Sequence, residues 1–271
     1  MQTKQSSNTP PKSSKSPLEK IRLVGVQKSF GTKNVLTGVD LVLNQGESLV
    51  VIGGSGSGKS VLLKCILGLL KPSAGKVFID GQDLSTLKNH DRDHAISQIG
   101  MLFQGGALFD SLRVWENVAF GLKQTQKISG VDARRIALEK LMAVGLSSEV
   151  ADLMPSELSG GMQKRVGLAR AIAMNPAILF FDEPTTGLDP IMRTAIDSLI
   201  VKCVKDLGAA AITITHDLTS ARSIADKIAM LYEGKIIWTG SIKEIEKSGN
   251  PYLDQFIHGR MEGPIPVNIK Q

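Results

Sequence analysis

The stretch from Glu47 to Ser60 constrains the fold more than any other part of the chain. Leu49 to Ile52 form a short apolar run, which is typical of a strand buried on both faces. The next eight residues match the pattern G-x-x-x-x-G-K-[ST] and are Gly53, Gly54, Ser55, Gly56, Ser57, Gly58, Lys59 and Ser60. An apolar segment that opens at Val61 then predicts a buried helix running to Leu70.

Small residues in this loop let phosphate oxygens approach several successive backbone N–H groups. Those N–H groups form an anion-binding concavity, and the following helix adds its positive dipole end. Lys59 can reach β- and γ-phosphates, and the Ser60 hydroxyl can ligate Mg²⁺. A flexible Gly/Ser linker is the alternative interpretation, but the flanking strand and helix disfavour it. We therefore predict that residues 53–61 bind a nucleotide.

Composition and charge place the chain among ordinary globular proteins. It has 271 residues, of which 42% are hydrophobic and 21% charged. Its first residues include no apolar leader, which argues against secretion, and Cys65 and Cys203 have no motif spacing. Half of the net charge of +6 comes from lysines at 4, 12 and 15, so the remainder is only mildly basic. We expect no nucleic-acid partner.

The pattern along the chain predicts three parts. Residues 1–17 are expected to be a disordered basic tail, residues 18–248 one folded domain, and residues 249–271 a C-terminal helix and extended tail. Alternating apolar residues at 39, 41 and 43 predict a half-buried strand. Residues 105–157 show little strand character, which predicts a helical subdomain at about 105–170. Ser241 and Glu244 form the pattern of a capping box opening the C-terminal helix.

A second apolar run, Ile178 to Phe181, ends in the paired acids Asp182 and Glu183. In a chain with a phosphate loop, this pattern indicates nucleotide hydrolysis. Asp182 is expected to hold Mg²⁺ beside Ser60, and Glu183 to orient or deprotonate the attacking water. Phe30 precedes a glycine turn and is interpreted either as a core aromatic or as a stacking platform for the base. His90 and His94 suit a metal site less well than a solvated surface.

These motifs, in this order, resemble the ATP-binding-cassette (ABC) ATPases over residues 20–245. Leu158 to Met162 is similar to the signature motif, which usually ends in Gln where this chain has Met162. The resemblance implies an α/β fold with a P-loop NTPase (RecA-like) core, an antiparallel β subdomain and an inserted α-helical subdomain. It assigns Gln104 to the Q-loop and a metal-ligand role, His216 to the switch histidine, and Phe30 to the adenine-stacking position.

The resemblance also implies two copies packed head to tail, with ATP and Mg²⁺ as ligands. Each ATP then lies between residues 53–60 of one copy and the signature residues Ser159, Gly160 and Gly161 of the other. A helix beginning at Ser159 and running to about Met174 supplies N–H groups and its dipole to the γ-phosphate. Hydrolysis removes a ligand that stabilises the interface between the two copies. The resulting change in conformation can do mechanical work on a partner protein.

Residues 103–120 have a narrower resemblance, to the ATPase subunits of lipid transporters of the maintenance-of-lipid-asymmetry (Mla) type. That resemblance implies a membrane permease, a lipid-binding protein of the mammalian-cell-entry class, and a peripheral location on the cytoplasmic side of the inner membrane. Phe109 or Trp115 is expected to contact a permease helix. Two alternatives stay open: an import ATPase for a polar nutrient, and a non-transport ABC protein acting on nucleic acid or ribosomes.

The last residues alternate between apolar and other side chains. Ile265, Val267 and Ile269 put an apolar stripe on one side of an extended segment stiffened by prolines. One interpretation is a frayed terminus. The other is a stripe that lies on the neighbouring copy and supports the dimer when ATP is absent.

Overall fold

The computed structural model describes residues 18–126 and 128–266, so the predicted basic tail at 1–17 lies outside the described residues. The strands are β1 (Glu19–Phe30), β2 (Lys33–Asn44), β3 (Ser48–Ile52), β4 (Ala74–Ile79), β5 (Gln82–Asp83), β6 (Ile99–Leu102), β7 (Ile178–Asp182), β8 (Ala210–Ile214), β9 (Lys227–Tyr232) and β10 (Lys235–Ser241). The α-helices are α1 (Lys59–Ile66), α2 (Asn89–Ser97), α3 (Val114–Thr125), α4 (Gly130–Ala143), α5 (Gly160–Ala171), α6 (Pro190–Leu207), α7 (Leu218–Ile224) and α8 (Pro251–His258).

The core of the molecule is a six-stranded sheet in the order β10-β9-β3-β8-β7-β6. Its strands from β9 to β6 pair in parallel, and β10 pairs antiparallel with β9. Every residue of β3 and β8 is buried, as expected for parallel strands covered on both faces. The predicted α/β fold is confirmed.

A second sheet is antiparallel and has the order β2-β1-β4-β5. The predicted alternation in β2 is confirmed, because Val39, Leu41 and Leu43 are buried. These side chains join a hydrophobic cluster that also contains the buried face of α1 and residues of β3 and β8. The second sheet thus packs against the side of the core that carries the phosphate loop.

Helices α3, α4 and α5 follow β6 and precede β7 in the chain, and they pack on one another. The segment before α3 is held by the buried amide of Asn117. That amide accepts a hydrogen bond from the Phe109 N–H at 2.7 Å and donates to the carbonyl of Leu112 at 3.0 Å. One buried side chain therefore fixes the aromatic loop after β6 against the helices.

Two predicted helix boundaries are wrong. The helix after the phosphate loop ends at Ile66 and not at Leu70, because Gly68 adopts a φ of +67° that ends the helical path. The Glu244 carboxylate accepts a hydrogen bond from the Ser241 N–H, as in a capping box, but the Ser241 hydroxyl donates to that carboxylate and does not accept from the Glu244 N–H. Only a short 3-10 turn follows. The C-terminal helix begins at Pro251, because a proline disfavours helical geometry in the residue before it.

The segment after α8 folds back onto that helix. The buried side-chain amide of Gln255 accepts a hydrogen bond from the Ile265 N–H at 2.7 Å and donates to the Ile265 carbonyl at 3.0 Å. Ile265 is thus held by its own chain, whereas Val267 and Ile269 of the predicted stripe lie outside the described residues. Across the part of the chain that the structure describes, the helices are all too short or too polar to span a bilayer.

Candidate active site

Four neighbouring strands of the core sheet end at the same edge. The phosphate loop follows β3, His216 lies shortly after β8, Asp182 and Glu183 close β7, and Gln104 comes just after β6. These strands are parallel and adjacent, in the order β3-β8-β7-β6. Carboxyl ends of parallel strands form the usual ligand-binding edge of an open α/β sheet. The fold therefore brings together four of the predicted elements of the site.

The phosphate loop is built so that only glycine fits at its ends. A side chain at Gly53 would place its Cβ 2.3 Å from the Leu231 carbonyl oxygen. Gly58, which precedes α1, has a φ of +106°, and a Cβ there would lie 3.1 Å from the Val35 carbonyl oxygen. The loop is thus pressed against the end of β9 and the start of β2, with α1 directly behind it. This is the cradle that a polyphosphate chain requires.

The Lys59 ammonium group lies inside this loop. Its Nζ donates hydrogen bonds to the carbonyl oxygens of Gly53 at 2.7 Å and Gly54 at 2.9 Å. Burial lowers the pKa of Lys59, and the charges of Glu183 and Asp182 oppose that shift. The loop therefore holds a desolvated cation beside the two acids, where an anionic ligand gains the most from it.

Glu183 has a strained backbone and a fixed side chain. Its φ is +46°, which is uncommon for a residue with a side chain and is typical of functional sites. One carboxylate oxygen, Oε1, lies 2.8 Å from Nδ1 of His216. The other, Oε2, accepts hydrogen bonds at 3.2 Å from the hydroxyl groups of Thr186 and Thr215. His216 is 62% exposed in its side chain against 13% for Glu183, so the histidine covers the acid from the solvent side.

Two buried lysines lie near the two acids, Asp182 and Glu183. Burial raises the pKa of Asp182, and the neighbouring Glu183 raises it further. Lys164 of α5 is also buried, and its Nζ lies 3.5 Å from the Glu183 carbonyl oxygen. Burial lowers the pKa of Lys164, just as it does for Lys59. Two buried ammonium groups thus neutralise two partly buried carboxylates.

The residues predicted to hold Mg²⁺ suit that ion by their chemistry. Ser60 and Gln104 are exposed and Asp182 is half-buried, and all three offer oxygen atoms at the same edge of the sheet. Mg²⁺ prefers a few oxygen ligands and keeps several waters. Among the described residues, no group of three or more His, Cys, Asp or Glu side chains forms a metal site. His90, which is 98% exposed, lies on the solvated surface favoured for it.

A cavity of about 430 Å³ lies beside the phosphate loop. The loop and α1 form one wall, Lys33 to Val35 of β2 a second, and Glu233 with Gly234 a third. Phe30, at the end of β1, is exposed and does not line this cavity, and the Lys28 ammonium lies 5.2 Å above its ring. The structure thus excludes the core interpretation of Phe30 and leaves its ring accessible.

The signature residues lie at the start of α5. The predicted cap is confirmed, because the Ser159 hydroxyl accepts a hydrogen bond from the Met162 N–H at 3.3 Å. Ser159 and Gly160 are exposed, and no atom lies within 4 Å of a Cβ placed at Gly160. Within residues 18–126 and 128–266, no hydrogen bond joins residues 159–161 to the phosphate loop. The structure therefore does not bring these two predicted parts of the site together within one chain.

Several residues at this site escaped the sequence interpretation. Thr186 and Thr215 bind Glu183, Lys164 neutralises the acids, and Glu233 lines the cavity. Of these residues, Lys164 could have been recognised from the sequence as a candidate. It is a charged residue on the inward side of a helix whose other inward residues are small or apolar. The threonines had no such signal, because polar residues at strand ends are common.

Comparison with known proteins agrees with this geometry. The family model described as ABC transporter matches residues 36–186. The intermembrane phospholipid transport system ATP-binding protein MlaF of Haemophilus influenzae is 40% identical over 235 residues, which are 87% of this chain and 89% of that protein. The methionine import ATP-binding protein MetN of Leifsonia xyli subsp. xyli is 42% identical over 231 residues, which are 83% of this chain and 66% of that protein.

A solved structure gives the same result for the fold. The dimeric structure of a post-hydrolysis state of the ATP-binding cassette MJ0796, bound to ADP and Pi, superposes with a TM-score of 0.75. It is 34% identical and covers 82% of this chain and 98% of its own. The phosphate loop, the acids after β7 and the family match together lead to one conclusion: this chain belongs to the ABC transporter family and is an ATP-binding subunit that hydrolyses ATP.

Proposed function

We propose that the chain energises a membrane permease that moves phospholipid between membranes. The observation that carries this proposal is the similarity to MlaF, which extends over 89% of that protein and so includes the regions outside the shared catalytic core. The aromatic segment at 103–120, which resembles Mla-type subunits, is consistent with it. The other partner of the complex is a lipid-binding protein of the mammalian-cell-entry class.

The residues of the site have different roles in binding ATP. The N–H groups of residues 53–61 bind the phosphate oxygens, and Lys59 neutralises their β- and γ-charges. Ser60, Asp182 and Gln104 would hold Mg²⁺, which would neutralise part of the phosphate charge. The ring of Phe30 stacks on the adenine, which suits its exposed position at the end of β1.

Glu183 is proposed as the general base for the attacking water. Hydrogen bonds from Thr186 and Thr215 occupy Oε2, so Oε1 is the oxygen that turns toward water when His216 moves away. His216 is exposed enough to make that movement toward the γ-phosphate.

A second copy of the chain completes each ATP site. The exposed N-terminus of α5 has no partner in its own phosphate loop among the described residues, and Ser159 and Gly160 leave its N–H groups accessible. A head-to-tail dimer places that helix end against the γ-phosphate bound by the other copy. The dimeric state of the similar MJ0796 cassette supports this arrangement.

We also propose that an apolar groove of about 300 Å³ is the permease contact and that the chain lies on the cytoplasmic side of the inner membrane. Phe109 and Phe120 line it, and Arg170 of α5 forms its polar side. Arg170 donates hydrogen bonds to the carbonyls of Gly106 at 2.7 Å and Ala107 at 2.8 Å, within the loop that follows Gln104. A partner bound in this groove is therefore expected to respond to movements of Gln104. Trp115, the other predicted contact, packs partly buried against the helical core instead.

Import of a polar nutrient is the second candidate function. The similarity to MetN favours it, but the matched segment covers only 66% of MetN, against 89% of MlaF. Both functions use the same catalytic residues, so the cargo has to be tested through the complex. A role on nucleic acid has no support from the modest charge of the chain.

Purification of the full chain from detergent-treated membranes tests the proposal. We expect an integral membrane protein and bound phospholipid to co-purify, and phospholipid to stimulate the ATPase of the complex. Phe109→Asp should release the chain from the membrane protein, because it puts a charge in the apolar groove, while ATP binding is kept. Val131→Asp is the matched control, since Val131 is 82% exposed on α4. Stimulation by methionine and not by phospholipid would instead support the import function.

A further inference from the structure

An ion pair joins the start of α6 to the loop that carries His216. The Nε of Arg193, on α6, lies 2.9 Å from Oδ2 of Asp217, the residue after His216. Within the described residues this Nε has no hydrogen-bond partner, so the contact is one between charges. The two side chains are only 27% and 21% exposed, and salt screens such a partly buried pair much less than an exposed one. Neither residue has a role in the chemistry described above.

Asp217 makes further bonds within the same loop. Its Oδ1 caps α7 by accepting hydrogen bonds from the backbone N–H groups of Thr219 at 2.8 Å and Ser220 at 3.2 Å. Its own N–H donates to the Thr215 hydroxyl at 3.0 Å. The carboxylate thus uses one oxygen for the helix and the other for the ion pair. A movement of Asp217 therefore disturbs both the start of α7 and the Thr215 side chain.

Two hydrogen bonds lead from these residues to the segment that carries Glu183. The Thr215 hydroxyl donates to Oε2 of Glu183 at 3.2 Å. The Ser220 hydroxyl lies 3.0 Å from the hydroxyl of Thr185, and both residues are buried. The first bond fixes the carboxylate, and the second holds the segment just after it. The cap at Asp217 is therefore connected to Glu183 in two places.

The backbone is anchored on both sides of His216. Thr215 donates its N–H to the Val51 carbonyl of β3 at 3.2 Å. On the other side, Asp217 is held by the ion pair and by the cap of α7. The His216 side chain is 62% exposed, and its Nδ1 lies 2.8 Å from Oε1 of Glu183. An anchored backbone limits movement in this loop to the histidine side chain.

We propose that Arg193 and Asp217 are positioning residues, whose ion pair holds the loop around His216 so that Glu183 stays aligned for the attacking water. Alignment matters because a displacement of about 1 Å can reduce a rate by about 10²-fold. Helix α6 is a suitable anchor, since Asp189 caps it with hydrogen bonds of 3.0 Å to two backbone N–H groups. This inference rests on the roles proposed above for Glu183 and His216.

The test is steady-state ATP hydrolysis by purified full-length variants. Asp217→Asn removes one charge and keeps the cap, because asparagine and aspartate are about equally good at a helix N-terminus. Arg193→Met removes the other charge and keeps the apolar stem. We expect each change to lower kcat by roughly 10-fold, with KM for ATP within about 2-fold of the wild type. The double variant should show no further loss, because both changes remove the same contact.

Two further measurements distinguish positioning from a purely structural role. Arg193→Lys should recover most of the wild-type kcat, because the contact is a single charge and not a bidentate fork. In a Glu183→Gln background, Asp217→Asn should cause no further loss, because the group that it positions is already inactive. A residue that only stabilises the fold would lower activity in both backgrounds.

The pair of Arg134 and Asp152 provides the matched control. It consists of the same two residue types at 2.6 Å, but it is about half exposed. Its arginine belongs to α4, and among the described residues this pair has no hydrogen bond to Glu183 or His216. We expect Arg134→Met and Asp152→Asn to keep the wild-type kcat.

Three results would overturn the proposal: a wild-type kcat in either single variant, losses that add up in the double variant, or an equal loss from Asp217→Asn with and without Glu183→Gln. Glu183→Gln alone is measured in the same assay. A wild-type rate in that variant overturns the role proposed for Glu183 and this inference with it. Slow turnover in Glu183→Gln, together with unaffected ion-pair variants, overturns this inference alone.

Discussion

Replacing Glu183 by Gln is expected to slow ATP turnover by about 10²-fold or more while ATP binding survives. The amide keeps the shape of the side chain and can still accept the hydrogen bonds from Thr186 and Thr215. It cannot take a proton from water. Because ATP then stays bound between two copies, size exclusion with ATP and Mg²⁺ should show a larger dimer fraction than for the wild-type chain.

Glu139→Gln is the control for this experiment, because Glu139 is an exposed residue of α4 that pairs with Arg135 across one helical turn. It makes the same chemical change away from the sheet edge, and we expect wild-type turnover. A Glu183→Gln protein that hydrolyses ATP at the wild-type rate would exclude Glu183 as the base. A variant that no longer binds ATP would show that the carboxylate has a structural role in the loop.

Lys59→Ala is expected to reduce ATP hydrolysis by about 10²–10³-fold, the usual cost of removing one preorganised charge-stabilising group. The change removes a buried ammonium that bonds the carbonyls of Gly53 and Gly54 and faces both acids. The variant therefore loses the charge that meets the β- and γ-phosphates. Steady-state hydrolysis and equilibrium ATP binding measure the two parts of this effect.

Lys59→Arg separates charge from geometry. It keeps the positive charge, but its planar guanidinium group does not fit where a compact ammonium lies between two carbonyl oxygens. We expect it to be nearly as inactive as Lys59→Ala. High activity in either variant would show that Lys59 supports the conformation of the loop and does not stabilise the transferred phosphate.

Local patterns predicted the phosphate loop well, because its chemistry is contained in consecutive residues. Gly53 and Gly58 are needed for reasons of backbone geometry that the motif already expresses. Strands β3 and β7 could also be predicted from the sequence, because each is a short apolar run that leads directly into a motif. Such a run is typical of a buried strand that carries the motif at its carboxyl end. The parallel sheet order then brought Gln104, Glu183 and His216 to one edge.

Contacts between residues that are distant in the chain could not be predicted from the sequence. The bonds from Thr215 to Glu183 and between Thr185 and Ser220 join residues that are more than 30 positions apart. The position of Lys164 next to the Glu183 carbonyl depends on where the fold places α5 relative to the residue after β7. The helix predicted after Ser241 failed for a different reason, since only one of the two capping-box bonds forms and the helix begins instead at Pro251, after the Asn250 cap.

A mixture of two inactive variants tests the shared ATP site most directly. Ser159→Arg should inactivate the chain by blocking the phosphate bound to its partner, while its own phosphate loop stays intact. A mixed dimer of Ser159→Arg and Lys59→Ala has one site in which both defects meet and one site with neither. We predict that mixing the two proteins one to one restores ATP hydrolysis, to about a quarter of the wild-type rate if single sites work independently. Mixing that restores no activity, although mixed dimers form, would contradict a site shared between two copies.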